Sequence, residues 1–326
     1  MGNCITRNLV FMNNELHVIL GTGPVGCWTA RSLRAMGYPV RAVNRTGNRP
    51  DLLPPEVEVV RADISDVSAA KDAARGASVV YQALNPPYHQ WAEFFPALQV
   101  GAMAAARSAG AKFVSIENLY LYDSSASIDE GSPIMPRSNK GELRRKMAEE
   151  VMTAHERGTL RTTALRSSDY YGPGVVASAF GSMVFGNLVA GKRAQVSGSK
   201  SMPHSFAYIE DVGRAAAMLG TRDEALGRAW IAPHAPPLTQ GEMVELICKR
   251  LGIAPRITVI TPMLMRLAGL FIPAAGASVE MLYEFTAPFV VGSTLMQRRF
   301  GVPPTPVETG IERTLQWFRN RENGGR

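Results

Sequence analysis

Between Leu16 and Arg166, short β-rich apolar runs alternate with longer stretches in which apolar positions recur at the spacing of a helix face. The runs predict strands at Leu16–Leu20, Val40–Val43, Val57–Arg61, Ser78–Ala83, Lys112–Ile116 and Thr162–Arg166. Between them the periodicity predicts helices at Val25–Met36, Trp91–Ala109 and Asn139–Arg157. Gly37, Gly110 and Gly158 stand where each helix would stop, because glycine enters the left-handed conformation of a helix end without steric cost. Strand and helix in regular alternation make a parallel sheet with helices on both faces, so the pattern predicts an α/β fold of the doubly wound Rossmann type.

After Arg166 the regularity fails at Gly172-Pro173-Gly174, and the remainder mixes two or three short strands with helices predicted at Val176–Ala190, Glu210–Leu219, Gln240–Leu251, Pro262–Leu270 and Thr305–Asn320. This part predicts a smaller C-terminal α/β substrate domain over the carboxyl ends of the strands, where open α/β sheets bind their ligands.

Composition narrows the function classes. An apolar fraction of 46% with 19% charged residues suits a globular chain with a substantial core. The net charge of +7 comes from scattered basic residues with no aromatic interleaving, so no nucleic-acid partner is expected, and a phosphorylated small ligand accounts for part of the excess. Cys4, Cys27 and Cys248 lack the spacing of a disulfide framework or a metal site, which predicts no metal and a cytoplasmic setting. The most apolar stretch, Ile257 to Val279, is interrupted by Pro262, Arg266 and Pro273, and no membrane span is expected. Residues 1–14 read as a disordered leader, although Met1-Gly2-Asn3-Cys4-Ile5-Thr6 also matches a lipidation pattern.

The chemistry begins at Gly21-Thr22-Gly23-Pro24-Val25-Gly26, which follows the apolar run Val18-Ile19-Leu20 and opens a helix. In that context Gly21 permits a tight turn, Gly23 lets backbone approach a diphosphate, and Gly26 lets helix pack on strand. The diphosphate then meets free amide groups and the positive end of the helix dipole. The second strand ends in Asn44-Arg45 with no carboxylate to accept from a ribose 2′-hydroxyl. Arg45, aided by Arg49, offers a donor fork that suits a 2′-phosphate, so NADP(H) is favoured with NAD(H) possible.

Further landmarks follow in order: Asp63-Ile64, Asn85-Pro86-Pro87, Leu119 to Tyr122, Tyr171-Gly172-Pro173-Gly174, and Phe206 to Asp211. With these the chain resembles the extended short-chain dehydrogenase/reductase superfamily, of the NAD-dependent epimerase/dehydratase type, from about Leu16 to Trp317. The resemblance implies that Asp63 and Ile64 flank an adenine and that Asn85 and Pro86 lie along the cofactor. It also implies that residues 206–220 return to a dinucleotide-binding domain of residues 15–170, leaving 171–205 and 221–326 as the substrate domain.

That family uses a Tyr-x-x-x-Lys pair on one helix and a Ser or Thr at the end of the fifth strand. Here Pro136 and Gly141 bracket Lys140 in the tyrosine position, Arg144 takes the lysine position, and Asn118 takes the serine position. Lys140 and Arg144 lie four apart on one helix face and are expected to converge on one spot, which makes Lys140 a candidate proton-transfer group or makes room for an anion between them. Tyr120 is a second candidate acid, and Tyr88, Asp169 and Tyr170 are expected to line a substrate pocket. His17, His204 and His234 carry no ligand-like spacing and read as structural or surface residues.

The residues so assembled predict an NADP(H)-dependent oxidoreductase or epimerase for a small carbonyl or hydroxyl compound, with an atypical proton donor; the oligomeric state stays open, a homodimer being one possibility. The altered catalytic positions leave a second class open, a cofactor-binding protein without redox turnover.

Overall fold

A computed structural model of the chain describes residues 14–324; the leader and its lipidation pattern lie outside them. The first half builds strands β1 (Leu16–Leu20), β2 (Val40–Asn44), β3 (Glu58–Arg61), β4 (Ala77–Gln82), β5 (Lys112–Asn118) and β6 (Thr162–Ser167). Helices α1 (Pro24–Ala35), α2 (Val67–Ala73), α3 (Trp91–Ala109) and α4 (Asn139–Glu156) connect them. Gly37, Gly110 and Gly158 close their helices at φ values of 87°, 64° and 66°, as glycine at a helix end predicts.

A seventh strand, β7 (Ala229–Ile231), completes a sheet of order β7-β6-β5-β4-β1-β2-β3. Every pairing in it is parallel. The order reverses between β1 and β4, and the two chains leaving these strands diverge to open a crevice at their carboxyl ends. β1 is buried on both sides: Ile19 joins the core under α1, whereas Val18 and Leu20 join the core under α3. Full burial of each such side chain contributes about 1.5–3 kcal/mol, so the strand that carries the glycine loop is among the most firmly held.

Beyond β6, α5 (Ile209–Thr221) packs against α1 so closely that a Cβ on Gly213 would stand 2.5 Å from the Trp28 backbone. A separate apolar core forms where α6 (Gln240–Leu251) and α7 (Val307–Gly324) meet Tyr171, Phe185 and Phe206. Two expectations change here. Residues 229–231 return to the main sheet as its edge strand, so the chain after 220 does not leave it altogether. Val176–Ala190 is not one helix: Gly181 sits at φ −94°, ψ −125°, and only a wide turn at Ser182–Gly186 and a short turn at Asn187–Val189 follow.

Candidate active site

The glycine loop joins β1 to α1. Gly21 adopts φ 106°, and a Cβ there would lie 2.5 Å from the Ala83 carbonyl oxygen of β4's continuation. A Cβ on Gly26 would lie 2.0 Å from the carbonyl oxygen of Gly21, so the helix can approach the turn only without a side chain. Gly23 differs from both: a Cβ there would meet no protein atom within 4 Å. Gly23 caps α1 with no side chain accepting from the first-turn amides, and no acidic residue occupies that turn. Pro24 at the first helical position has no amide to satisfy, while Val25 is buried at the edge of the cleft. An open surface over an uncapped helix start fits a diphosphate.

At the end of β2, the Asn44 amide donates to Thr22 Oγ1 at 3.0 Å and to the Asn48 carbonyl at 2.8 Å, tying the glycine loop to the turn that carries Arg45. Arg45 is exposed and forms no salt bridge among the described residues. Arg49, expected to assist it, instead donates to the carbonyl oxygens of Pro54 and Val57 at 2.8 and 2.7 Å and holds the 50–57 loop. Asp63 is exposed and accepts from the Ser65 hydroxyl and amide, which hold its carboxyl below the usual range. The Ile64 side chain is 1% exposed within the core, and its carbonyl oxygen lies 1.7 Å from where a Gly101 Cβ would stand. Packing of α3 against this turn claims the residue.

The cleft runs from Val25 and Asn85 to Asn118, Tyr120 and Asp169, between the ends of β1, β4, β5 and β6. Pro86 turns its carbonyl oxygen to the Trp91 indole N–H at 2.8 Å and so fixes the start of α3. Tyr88 and Tyr120 bring their hydroxyl oxygens within 2.5 Å, and burial pushes both phenols above their ordinary range. Asn118 Oδ1 accepts from the Tyr120 amide at 3.3 Å.

Lys140 and Arg144 do not converge. Lys140 Nζ turns away to Glu280 Oε1 at 2.6 Å and to the Ala277 carbonyl at 2.8 Å, and the residue is not part of the cleft wall. Two of the three ammonium donors are thus spent on the C-terminal segment, so the expected convergence of Lys140 and Arg144 on one spot of the cleft does not occur. Arg144 does line the cleft. Its guanidinium is 4% exposed, donates to the Ile116 carbonyl at 3.2 Å and stacks over Phe95 at 4.7 Å. The neighbouring carboxylate, Glu117, is taken by Arg166 at 2.9 Å. Arg144 is therefore a buried cation without a carboxylate partner among the described residues, and burial holds its pKa below the ordinary value.

The loop after β6 carries Ser168 beside the expected pocket residues Asp169 and Tyr170 and meets His204, His234 and Glu284; sequence reasoning assigns Ser168, Glu284 and the two histidines no role in the site. Ser168 donates its amide to His234 Nε2 at 3.2 Å, and His234 Nδ1 donates to the Ala232 carbonyl at 2.6 Å. With one nitrogen accepting and the other donating, His234 is neutral, and burial lowers its pKa to about 4. His204 Nε2 lies 3.0 Å from Asp169 Oδ2. Behind them Glu284 is 2% exposed, its Oε1 has no hydrogen-bond partner, and burial followed by the charge of Asp169 raises its pKa well above the carboxylate range. Tyr170 also lines the cleft, and burial pushes its phenol up to about 12. No group of His, Cys, Asp and Glu among the described residues could hold a metal ion.

Residues 18–230 match the family model of the NAD dependent epimerase/dehydratase family. The chain belongs to that family. The open, uncapped turn at 21–26 fits the diphosphate of a dinucleotide. Comparison with curated protein sequences finds no match. Among solved structures, an epimerase from Methanothermobacter thermautotrophicus superposes with a TM-score of 0.79 at 16% identity, covering 96% of this chain and 94% of that one. The dTDP-glucose 4,6-dehydratase of Bacillus anthracis, in complex with NAD, gives 0.78 at 15% identity over 95% and 98%. The UDP-glucuronic acid 4-epimerase of Bacillus cereus, in complex with NAD, gives 0.76 at 14% over 94% and 99%. At these identities the likeness is one of fold.

On the first two turns of α4, Lys140 is spent on an ion pair to the C-terminal segment, and Arg144 is a buried arginine. No helical spacing signals Glu280 or Glu284. Both come from a segment about 140 residues further along the chain than α4's first turn.

Proposed function

We propose that the protein is an NADP(H)-dependent oxidoreductase or epimerase acting on a small carbonyl or hydroxyl compound, with its proton supplied by a group other than the tyrosine that the family uses. When bound, the nicotinamide ring supplies or accepts hydride. Gly21, Thr22, Gly23, Pro24, Val25 and Gly26 would cradle the diphosphate, and Asn44 would hold the adjoining turn. Arg45 would take the 2′-phosphate, with Asp63 beside the adenosine and Asn85 with Pro86 further along. In the cleft, Arg144 would hold an anionic or hydroxyl group and Asn118 would orient the reacting oxygen. Tyr88, Tyr120, Asp169 and Tyr170 would form the substrate wall.

The observation that carries this reading is the uncapped start of α1 beside an open Gly23, opening into a cleft that contains a buried cation without a carboxylate partner. The test is calorimetric titration with NADPH and NADH, followed by absorbance of the reduced nicotinamide against a panel of aldehydes, ketones and quinones. NADPH binding with consumption by some member of the panel supports the proposal. The engagement of Lys140 by Glu280 favours one second reading, a cofactor-binding protein without redox turnover. Tight binding with no consumption across the panel would select it.

A further inference from the structure

His204 is 1% exposed and lies between aromatic rings, with Phe285 and Phe206 centroids 4.8 and 4.6 Å from its own. Each of its nitrogens faces an oxygen. Nδ1 lies 3.0 Å from the backbone carbonyl oxygen of Glu284. A carbonyl oxygen only accepts, so Nδ1 carries a hydrogen. Nε2 lies 3.0 Å from Asp169 Oδ2, and two bare acceptors do not sit at that distance without a proton between them. The pair therefore holds one exchangeable proton, written either as imidazolium with carboxylate or as imidazole with carboxylic acid. Asp169 and Ser168 line the cleft beside Asn118, whereas His204 stands behind them.

We propose that Asp169 is the acid–base group of the cleft, delivering a proton to a carbonyl oxygen of the substrate, with His204 as the positioning residue that stores this proton. The inference rests on the hydride-transfer reading above. When a carbonyl carbon gains hydride and its electron pair from a reduced nicotinamide dinucleotide, the C=O π pair moves to oxygen. A new O–H bond forms there as the bond to the dyad's proton breaks. The dyad is left as a carboxylate beside a neutral imidazole, and a proton from solvent restores it. In the oxidative direction the same carboxylate takes the hydroxyl proton.

The neighbours leave this role to the dyad. Tyr88 and Tyr120 bond each other and are made weaker acids by burial. Lys140 is held by Glu280. His234 has both nitrogens committed to the backbone. Burial raises the pKa of Glu284, which disfavours a second negative charge beside Asp169.

The test uses the full chain with histidines labelled for nitrogen NMR, together with Asp169→Asn and His204→Gln. In the wild type, His204 Nδ1 should be protonated, and one strongly deshielded proton shared between Nε2 and Asp169 should appear that Asp169→Asn abolishes. In single-turnover reduction of the carbonyl panel, Asp169→Asn should slow NADPH oxidation by about 10²–10⁴-fold while NADPH affinity stays within about twofold. His204→Gln should slow it as well, and Asp169→Glu should recover part of the rate. Absence of any proton shared between His204 Nε2 and Asp169 in the wild type, or an Asp169→Asn variant that turns over at the wild-type rate, would overturn the proposal. Absence of dinucleotide binding by the wild type would defeat the functional reading instead, and the NMR signature would then decide the dyad by itself.

Discussion

The ammonium of Lys140, on the first turn of α4, is held by the carboxylate of Glu280 at 2.6 Å, so this turn is clamped to the C-terminal segment. The side chains are 9% and 27% exposed, so the pair is largely removed from solvent. Removing one partner leaves the other charge poorly solvated. Lys140→Met or Glu280→Gln should each cost about 1–3 kcal/mol, less than a fully buried pair because Glu280 keeps some water. The double variant should recover part of the loss. Denaturant titration of the three variants checks this, and additive losses would show that the pair is not coupled.

The exposed guanidinium of Arg45 predicts a selective effect. Arg45→Ala should weaken NADPH binding by about 10–100-fold, the cost of a charge-assisted contact, and change NADH binding by less than about twofold. Arg49→Ala should lower stability without changing cofactor choice, because its donors hold the carbonyl oxygens of Pro54 and Val57. Calorimetry with both nucleotides separates the two arginines, and equal losses for both nucleotides in Arg45→Ala would remove the basis for NADP(H).

Two buried histidines predict acid sensitivity. His17, bonded through Nδ1 to the Tyr81 hydroxyl at 2.8 Å, has its pKa lowered to about 4 by burial and the charge of Lys112, and His234 is also lowered to about 4 by burial. Their folded pKa values lie below the unfolded value near 6.5, so between these limits the unfolded chain binds more protons. Their stabilising contribution is present above pH about 6.5 and is lost as pH falls towards 4, at about 1.4 kcal/mol per pH unit for each. Melting curves across this range should fall steeply, and His234→Gln should flatten the fall by about half. A wild-type melting temperature constant from pH about 7 to 4.5 would contradict it.

Glu284 gives the opposite sign. Its folded pKa is raised by burial, so its favourable contribution exists only below the unfolded value near 4.5 and is lost as pH rises through the folded pKa. Glu284→Gln keeps the shape and removes the titration. It should raise the melting temperature at alkaline pH and give progressively less advantage as the medium is acidified. A variant equally or less stable than the wild type at every pH would contradict burial as the cause.

Local pattern specified what local physics decides. Strand Leu16–Leu20, helix Trp91–Ala109 and helix Gln240–Leu251 stand where the sequence predicts them, because the strand is a short apolar run, each helix has an apolar face, and a glycine follows all three. β7 escaped because three residues carry no periodicity, and α2 because its face is mostly alanine. Val176–Ala190 is not one helix because Gly181, packed where a Cβ would stand 2.4 Å from the Val176 carbonyl oxygen, leaves the helical conformation and interrupts the apolar spacing. The glycine loop was legible since its chemistry lies within six consecutive residues. The Asp169, His204, His234 and Glu284 cluster was not, since it joins loops 35 and more residues apart and depends on hydrogen-bond directions that no spacing encodes.

The account stands on dinucleotide binding at the turn before α1, and Gly23→Ala tests it most directly. A methyl group there meets no protein atom within 4 Å, and the backbone at φ −68° suits alanine, so the fold should be preserved. Calorimetric titration of the wild type with NADPH should give saturable binding, and Gly23→Ala, melting at the same temperature, should lose at least about tenfold in affinity, the free-energy equivalent of about 1.4 kcal/mol. Wild-type affinity in the variant, or no binding to the well-folded wild type, would contradict the account.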